Sequence, residues 1–215
     1  AYMRKQKALF LILLLVIMLV VSVGCGKSKK KPAKIEHSPT LTIDGNNHFV
    51  VAYETDFKED YYDKKELETL IDNELATFNE TSAADKNNGV VKESFTVNNG
   101  LAVLKLRFSS ASDYMNYSTD YVNSTRNARL FIGTYDDAVN AGYSFGGTFK
   151  SVSGEETFDI SAVKDDEKVF VLYTNENHSI DIDGEILGMN SNVRLKDNLA
   201  VTSDRQENYI IYKQK

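Results

Sequence analysis

After Ser144 the chain carries no segment with helical periodicity, and that silence constrains the fold more than any other feature. Phe145 to Val152, Thr157 to Ile160, Lys168 to Thr174, Ser179 to Ile182, Glu185 to Leu187, Val193 to Leu195, Leu199 to Thr202 and Tyr209 to Tyr212 are short alternating runs rich in β-branched and aromatic residues. Such runs read as strands, and Asp183-Gly184 and Asp197-Asn198 between them read as turns. A parallel α/β sheet needs a helix after nearly every strand, so it is excluded for this part of the chain.

Helix signals are confined to the first two-thirds. Asp63 with Glu66 forms an N-terminal cap, and Leu67, Leu70, Ile71, Leu75 and Phe78 follow at helical spacing, which predicts a helix over 63–79. Ser110 with Asp113 opens a second helix bearing Tyr114, Tyr117 and Tyr121; Thr134 with Asp137 opens a short third one that Gly142 ends. Around them lie further strand signals. Leu41 and Ile43, then Asp44-Gly45, then His48 to Tyr53 suggest a strand or hairpin. Val90 to Val97 and Leu101 to Phe108 flank Asn98-Asn99-Gly100 as a second hairpin, and Arg129 to Ile132 is another strand. The expected fold class is therefore α+β. It has a mostly antiparallel sheet, two to three helices in the first two-thirds, and an all-β, hairpin-rich last third.

The residues ahead of this body obey a different rule. Arg4, Lys5 and Lys7 precede an unbroken apolar run from Ala8 to Val21, which ends in the small residues Ser22-Val23-Gly24-Cys25. Basic, apolar, small is the order of a secretory signal. The tetrapeptide ending at Cys25 resembles the lipobox of bacterial lipoproteins, with Ser22 where leucine is commonest. The resemblance implies cleavage after Gly24 and diacylglyceryl transfer to Cys25, and a lipidated terminus with more than one chain anchors stably. Two alternatives stay open: an uncleaved anchor over 8–24, at the lower edge of spanning length, and an inert Cys25 thiol. Five lysines follow the apolar run against three cations before it; for an uncleaved anchor this places the body inside the cell.

Charge divides at the same place. Residues 1–34 hold eight cations and no acid, leaving 17 cations against all 31 acids in the remainder, a net of −14. The stretch from Gly26 to Pro39 contains both prolines and no periodic apolar residues, so it reads as an extended tether. Its Lys27, Lys29, Lys30, Lys31 and Lys34 would meet anionic headgroups, each worth about 1 kcal/mol before screening. The expected organisation is signal peptide 1–24, lipidated cysteine and lysine-rich tether 25–39, and one acidic domain 40–215. A body at −14 argues against nucleic acid as a partner, and the single cysteine excludes a disulfide framework.

No constellation in the body makes a complete catalytic set. Gly142-Tyr143-Ser144-Phe145-Gly146 matches the G-x-S-x-G pattern, with Asp165, Asp166 and His178 downstream. That nucleophile requires a strand before the serine and a helix after it. Here the order is reversed, which favours a helix-ending turn. His48 and His178 sit in strands without close-spaced ligand partners, so zinc has no local support. Acidic clusters could instead supply oxygen ligands to a structural calcium, with Asp60, Asp63, Asp181 and Asp183 as the metal candidates. The spacing around Gly184 is not that of an EF-hand, because Ser179 and Asn190 fall at its first and twelfth positions. Asp60 and Asp63 also suit a helix N-terminus. Otherwise no cofactor is expected. With no tryptophan, 12 tyrosines and 11 phenylalanines must build the core. The stripe of Tyr114, Tyr117 and Tyr121 reads as core edge or as a platform for sugar or peptide.

The architecture as a whole resembles the small lipobox-bearing surface lipoproteins of Gram-positive, clostridial-type anaerobes. That resemblance implies attachment through Cys25 to the extracytoplasmic face of the cell membrane, and it implies no particular activity. The expected function is a non-catalytic binding or envelope-assembly module, acting on an unknown protein or small ligand. Two rivals stand beside it: a solute-binding lipoprotein for a cationic or small polar ligand, and an envelope enzyme using paired carboxylates.

Overall fold

A computed structural model of the chain describes residues 38–59, 62–81, 89–122, 127–152 and 156–215. Among these residues there are 3 helices and 13 strands in two sheets, with the helices early and the strands dominant towards the C-terminus. The α+β class expected from periodicity is the class observed. Cys25, the tether lysines and Asp60 lie outside the described residues. No helix among the described residues is long and apolar enough to cross a membrane.

The chain opens with β1 (Thr40–Ile43) and β2 (Phe49–Asp56), paired antiparallel. Asp44 shapes the turn between them: its Oδ1 accepts from the backbone of Asn46 at 2.8 Å and of His48 at 3.0 Å. Helix α1 (Lys64–Thr81) follows, capped by Asp63, whose Oδ1 accepts from the Lys65 and Glu66 backbone amides. Next come β3 (Val90–Asn98) and β4 (Leu101–Phe108). Their turn places Asn99 at φ 51 and Gly100 at φ 73, the left-handed pair that lets a two-residue hairpin follow the strand twist. Asn79, near the end of α1, clasps the backbone N–H and C=O of Val90 with its side-chain amide and so fixes the helix to β3.

Helix α2 (Ala111–Tyr117) starts at Ser110, whose hydroxyl accepts from the Asp113 amide, and passes into a π-helical turn, Ser118–Val122. The wider turn still brings Tyr121 onto Tyr117, their rings stacked with centroids 5.3 Å apart. Then come β5 (Leu130–Thr134) and α3 (Tyr135–Asn140), the latter with a full capping box between Thr134 and Asp137. The rest is strand apart from a 3₁₀ turn, Ile160–Ala162: β6 (Phe149–Ser151), β7 (Thr157–Phe158), β8 (Val169–Thr174), β9 (Ser179–Ile182), β10 (Gly184–Asn190), β11 (Arg194–Lys196), β12 (Leu199–Val201) and β13 (Asn208–Gln214).

The strands form a seven-stranded sheet in the order β11-β12-β9-β1-β2-β4-β3 and a six-stranded sheet in the order β5-β8-β13-β10-β6-β7. Pairing is antiparallel except for β1 against β9. One turn expectation fails. Asp183-Gly184 closes no hairpin, because β9 belongs to the first sheet and β10 to the second; the pair is the crossing point between them. Gly184 is required by proximity, since a Cβ there would stand 2.5 Å from the Lys213 carbonyl oxygen. Asp197-Asn198 is the hairpin turn expected, with both residues at positive φ between β11 and β12.

The two sheets differ in how many faces they bury. The first turns Leu41, Ile43, Phe49, Val51, Leu106 and Phe108 into an inner core shared with α1, α2 and one face of the second sheet. The second is covered on both sides. Along β8, Phe170 and Leu172 point to the inner core, while Val169, Val171 and Tyr173 point to an outer core beneath α3. β13 alternates likewise, with Ile210 and Tyr212 inward and Tyr209 and Ile211 outward. Burial on both faces explains why VFVLYT and YIIY read as nearly unbroken apolar runs.

Candidate functional site

The outer face of the second sheet carries a ladder of rings. Phe131 on β5, Tyr173 on β8 and Tyr209 on β13 are register partners across three neighbouring strands. The Tyr173 and Tyr209 centroids stand 5.0 Å apart, edge to face. A fourth ring comes from the loop after α3. Gly142, at φ 85, donates to the Val139 carbonyl while the Tyr143 amide reaches back to Ala138, the paired bonds of a Schellman ending. Only a residue comfortable in the left-handed region ends the helix this way, and the reversal lays Tyr143 over the sheet. Its ring centroid is 4.8 Å from Phe131 and 4.7 Å from Tyr173.

Around these rings opens a cleft of about 340 Å³, lined by Arg129, Tyr143, Ser144, Tyr173, Glu207, Tyr209 and the glycines at 142, 146 and 147. That volume falls at the small end of the range for small-molecule sites. The Arg129 guanidinium lies over two ring faces, 5.4 Å from the Tyr173 centroid and 5.8 Å from that of Tyr143. Its backbone is clamped by Asn175, whose side chain accepts from the Arg129 amide at 2.8 Å. Glu207, just before β13, is held in the same manner: its backbone carbonyl accepts from the side chains of Asn190 and Asn192. Neither the Arg129 guanidinium nor the Glu207 carboxylate has an ion-pair partner among the described residues. Burial, reinforced by the Glu207 charge, pushes the Tyr209 hydroxyl up to about 12, although the Ser144 amide donates to it. Tyr173 is also pushed up by burial, with Arg129 pulling the other way.

Ser144 therefore lines the cleft, but no triad surrounds it. His178 is in the inner core, and Asp166 is held by the Lys213 ammonium at 2.7 Å. Helix before and strand after is the order found.

The inner core holds a second set of tyrosines, whose hydroxyls meet enclosed carboxylates. Tyr114 and Tyr117, the stripe read as core edge or platform, are wholly buried. Tyr114 donates to Glu176 Oε2 at 2.5 Å and lies 3.1 Å from His178 Nε2; Tyr117 donates to Glu74 Oε1 at 2.5 Å. His178, expected in a strand, lies in the connection just before β9 and is a core histidine with 1% exposure. Burial lifts the Glu74 carboxyl to about 7, against the opposing pull of the Tyr117 hydroxyl. The Tyr53 hydroxyl, Glu74 Oε2 and His178 Nδ1 are enclosed there without a hydrogen-bond partner among the described residues. A carboxyl near neutrality is what acid/base chemistry wants, yet this one is enclosed in the inner core, whereas the cleft opens on the outer one.

The acidic candidates are dispersed. Asp63 caps α1, Asp181 is exposed on β9, and Asp183 is held by the Lys215 ammonium at 2.5 Å. No group of three or more His, Cys, Asp or Glu is placed to hold a metal ion among the described residues. Sequence reasoning missed Glu74, although a signal existed: it sits three residues after Ile71 and four before Phe78, on the apolar face of α1. It also missed Arg129 and Glu207, which flank strands and carry no local signature. Compared with known protein families, curated proteins and solved structures, the chain finds no match.

Proposed function

We propose that this chain is a lipid-anchored extracytoplasmic binding module, non-catalytic, whose recognition surface is the Tyr143–Tyr173–Tyr209 cleft. The single observation that carries the reading is that cleft: an aromatic floor flanked by a cation and a carboxylate that no other described residue neutralises. A concave site with few convergent polar groups is the default binding surface of a domain. Anchoring rests on the leader, with Cys25 as the lipidated residue and the five tether lysines beside anionic headgroups. The same headgroups repel a body at −14, so the domain stands off the bilayer with its cleft accessible.

Two measurements test this. Intact mass of the membrane-extracted protein should start at Cys25 and carry the lipid; an unmodified Cys25, or a retained apolar run, overturns the anchoring. A thermal-shift screen across sugars, peptides, polyamines and organic acids should find a ligand that stabilises the native protein and not Tyr143→Ala. If every class leaves both proteins unmoved, the cleft is not a binding surface.

A further inference from the structure

We propose that the cleft takes a small zwitterion, a free amino acid or short peptide, with its carboxylate on Arg129 and its ammonium on Glu207; this rests on the binding-module reading above. The two charges face one cleft yet do not neutralise each other. Covering either with an uncharged ligand strips water from an ion without replacing it, which is costly. A simple anion suits Arg129 but meets Glu207, and a simple cation meets the reverse conflict. Only a ligand with both signs satisfies both groups.

The detailed geometry agrees. The Arg129 guanidinium lies over the Tyr143 and Tyr173 rings, and its fork of N–H donors suits bidentate contact with a carboxylate. Glu207 lines the same cleft as Tyr173 and Tyr209, and its charge helps to raise both phenols. About 340 Å³ admits an amino acid or a dipeptide and not a folded partner. Net charge points the same way: a body at −14 repels anions at a distance but is indifferent to a neutral zwitterion.

The test is calorimetric titration of the full-length protein in detergent with alanyl-phenylalanine, its N-acetyl derivative and its C-terminal amide. The zwitterion should bind, and each capped form should bind about tenfold more weakly or worse. Arg129→Ala should erase the preference for free acid over amide and leave the preference for free amine. Glu207→Gln should do the converse. Both residues are exposed, and circular dichroism of each variant confirms that the fold is kept; Arg129→Lys, which keeps the charge but not the fork, should lose part of the acid preference. Equal binding of all three forms overturns the proposal, as does absence of zwitterion binding at millimolar concentration. If a sugar or polyamine then proves sensitive to Tyr143→Ala, the zwitterion proposal fails while the binding-module reading stands.

Discussion

Two groups of tyrosines, packed against opposite faces of one sheet, differ less in burial than in what surrounds them: Tyr173 and Tyr209, 2% and 6% exposed, are nearly as enclosed as Tyr114 and Tyr117, and only Tyr143 is half-buried. Tyr114 and Tyr117 bury their rings entirely and spend their hydroxyls on Glu176 and Glu74. Tyr143, Tyr173 and Tyr209 line a cleft whose Arg129 and Glu207 have no ion-pair partner among the described residues. The residue type is the same; the neighbours decide. A phenol beside an enclosed carboxylate satisfies a polar group that would otherwise be stranded. Tyr143, beside the exposed Arg129 guanidinium, keeps part of its ring at the surface.

The largest expected difference is in stability, and it separates the buried Tyr114 from the half-buried Tyr143. Tyr114→Ala should cost about 3–5 kcal/mol, the usual range for deleting a buried aromatic, whereas Tyr143→Ala should cost roughly 1 kcal/mol. Urea denaturation followed by far-UV circular dichroism measures both, and equal losses would break the distinction.

Next comes pH. The folded state holds the Glu74 carboxyl near 7, above its ordinary 4.5, so folding favours the protonated form. Its stabilising effect is complete below about pH 4.5, declines as pH rises towards 7, and is constant above that, a swing of up to about 3 kcal/mol. Glu74→Gln should flatten that part of the profile between pH 5 and 7.5. An unchanged slope in the variant assigns the effect elsewhere.

A smaller effect links the two observations. Tyr117→Phe removes the hydroxyl that the carboxylate accepts from, and should cost about 1–3 kcal/mol. The loss should be greater at pH 8, where Glu74 is ionised, than at pH 5. Smallest of all, Arg129→Ala and Glu207→Gln should move the unfolding midpoint by no more than about 0.5 kcal/mol. If either destabilises as much as Tyr117→Phe, the cleft charges are structural and the contrast between the two faces dissolves.

Local chemistry foretold the parts of this fold whose cause is local. Asn99-Gly100 closes its hairpin, Ser110 and Thr134 start their helices, and Gly142 ends one, because each acts through its own backbone within a few residues. Asp183-Gly184 looks the same in sequence but joins two sheets, since β9 takes its partner from β1, far upstream. No local rule reports that pairing. The cleft was half visible: the glycine-serine pattern drew attention to the Tyr143 loop, for a reason that the structure does not support. Arg129 and Glu207 become neighbours of those rings only once β5, β8 and β13 lie side by side. The stripe of Tyr114 and Tyr117 was legible as a face, but its carboxylate partners come from elements 43 and 62 residues distant.

The parallel pairing of β1 also has a mechanical side. β1 is held in register on one edge by β2 and on the other by β9, four residue pairs each, and the Pro39 carbonyl adds a bond from Ser179 just ahead of it. A pull entering the domain from upstream of Thr40 runs along that strand, across hydrogen bonds on both edges. Those bonds are loaded in shear, all together, and do not peel one after another. A strand in the interior of its sheet is a firm place from which to hang a domain.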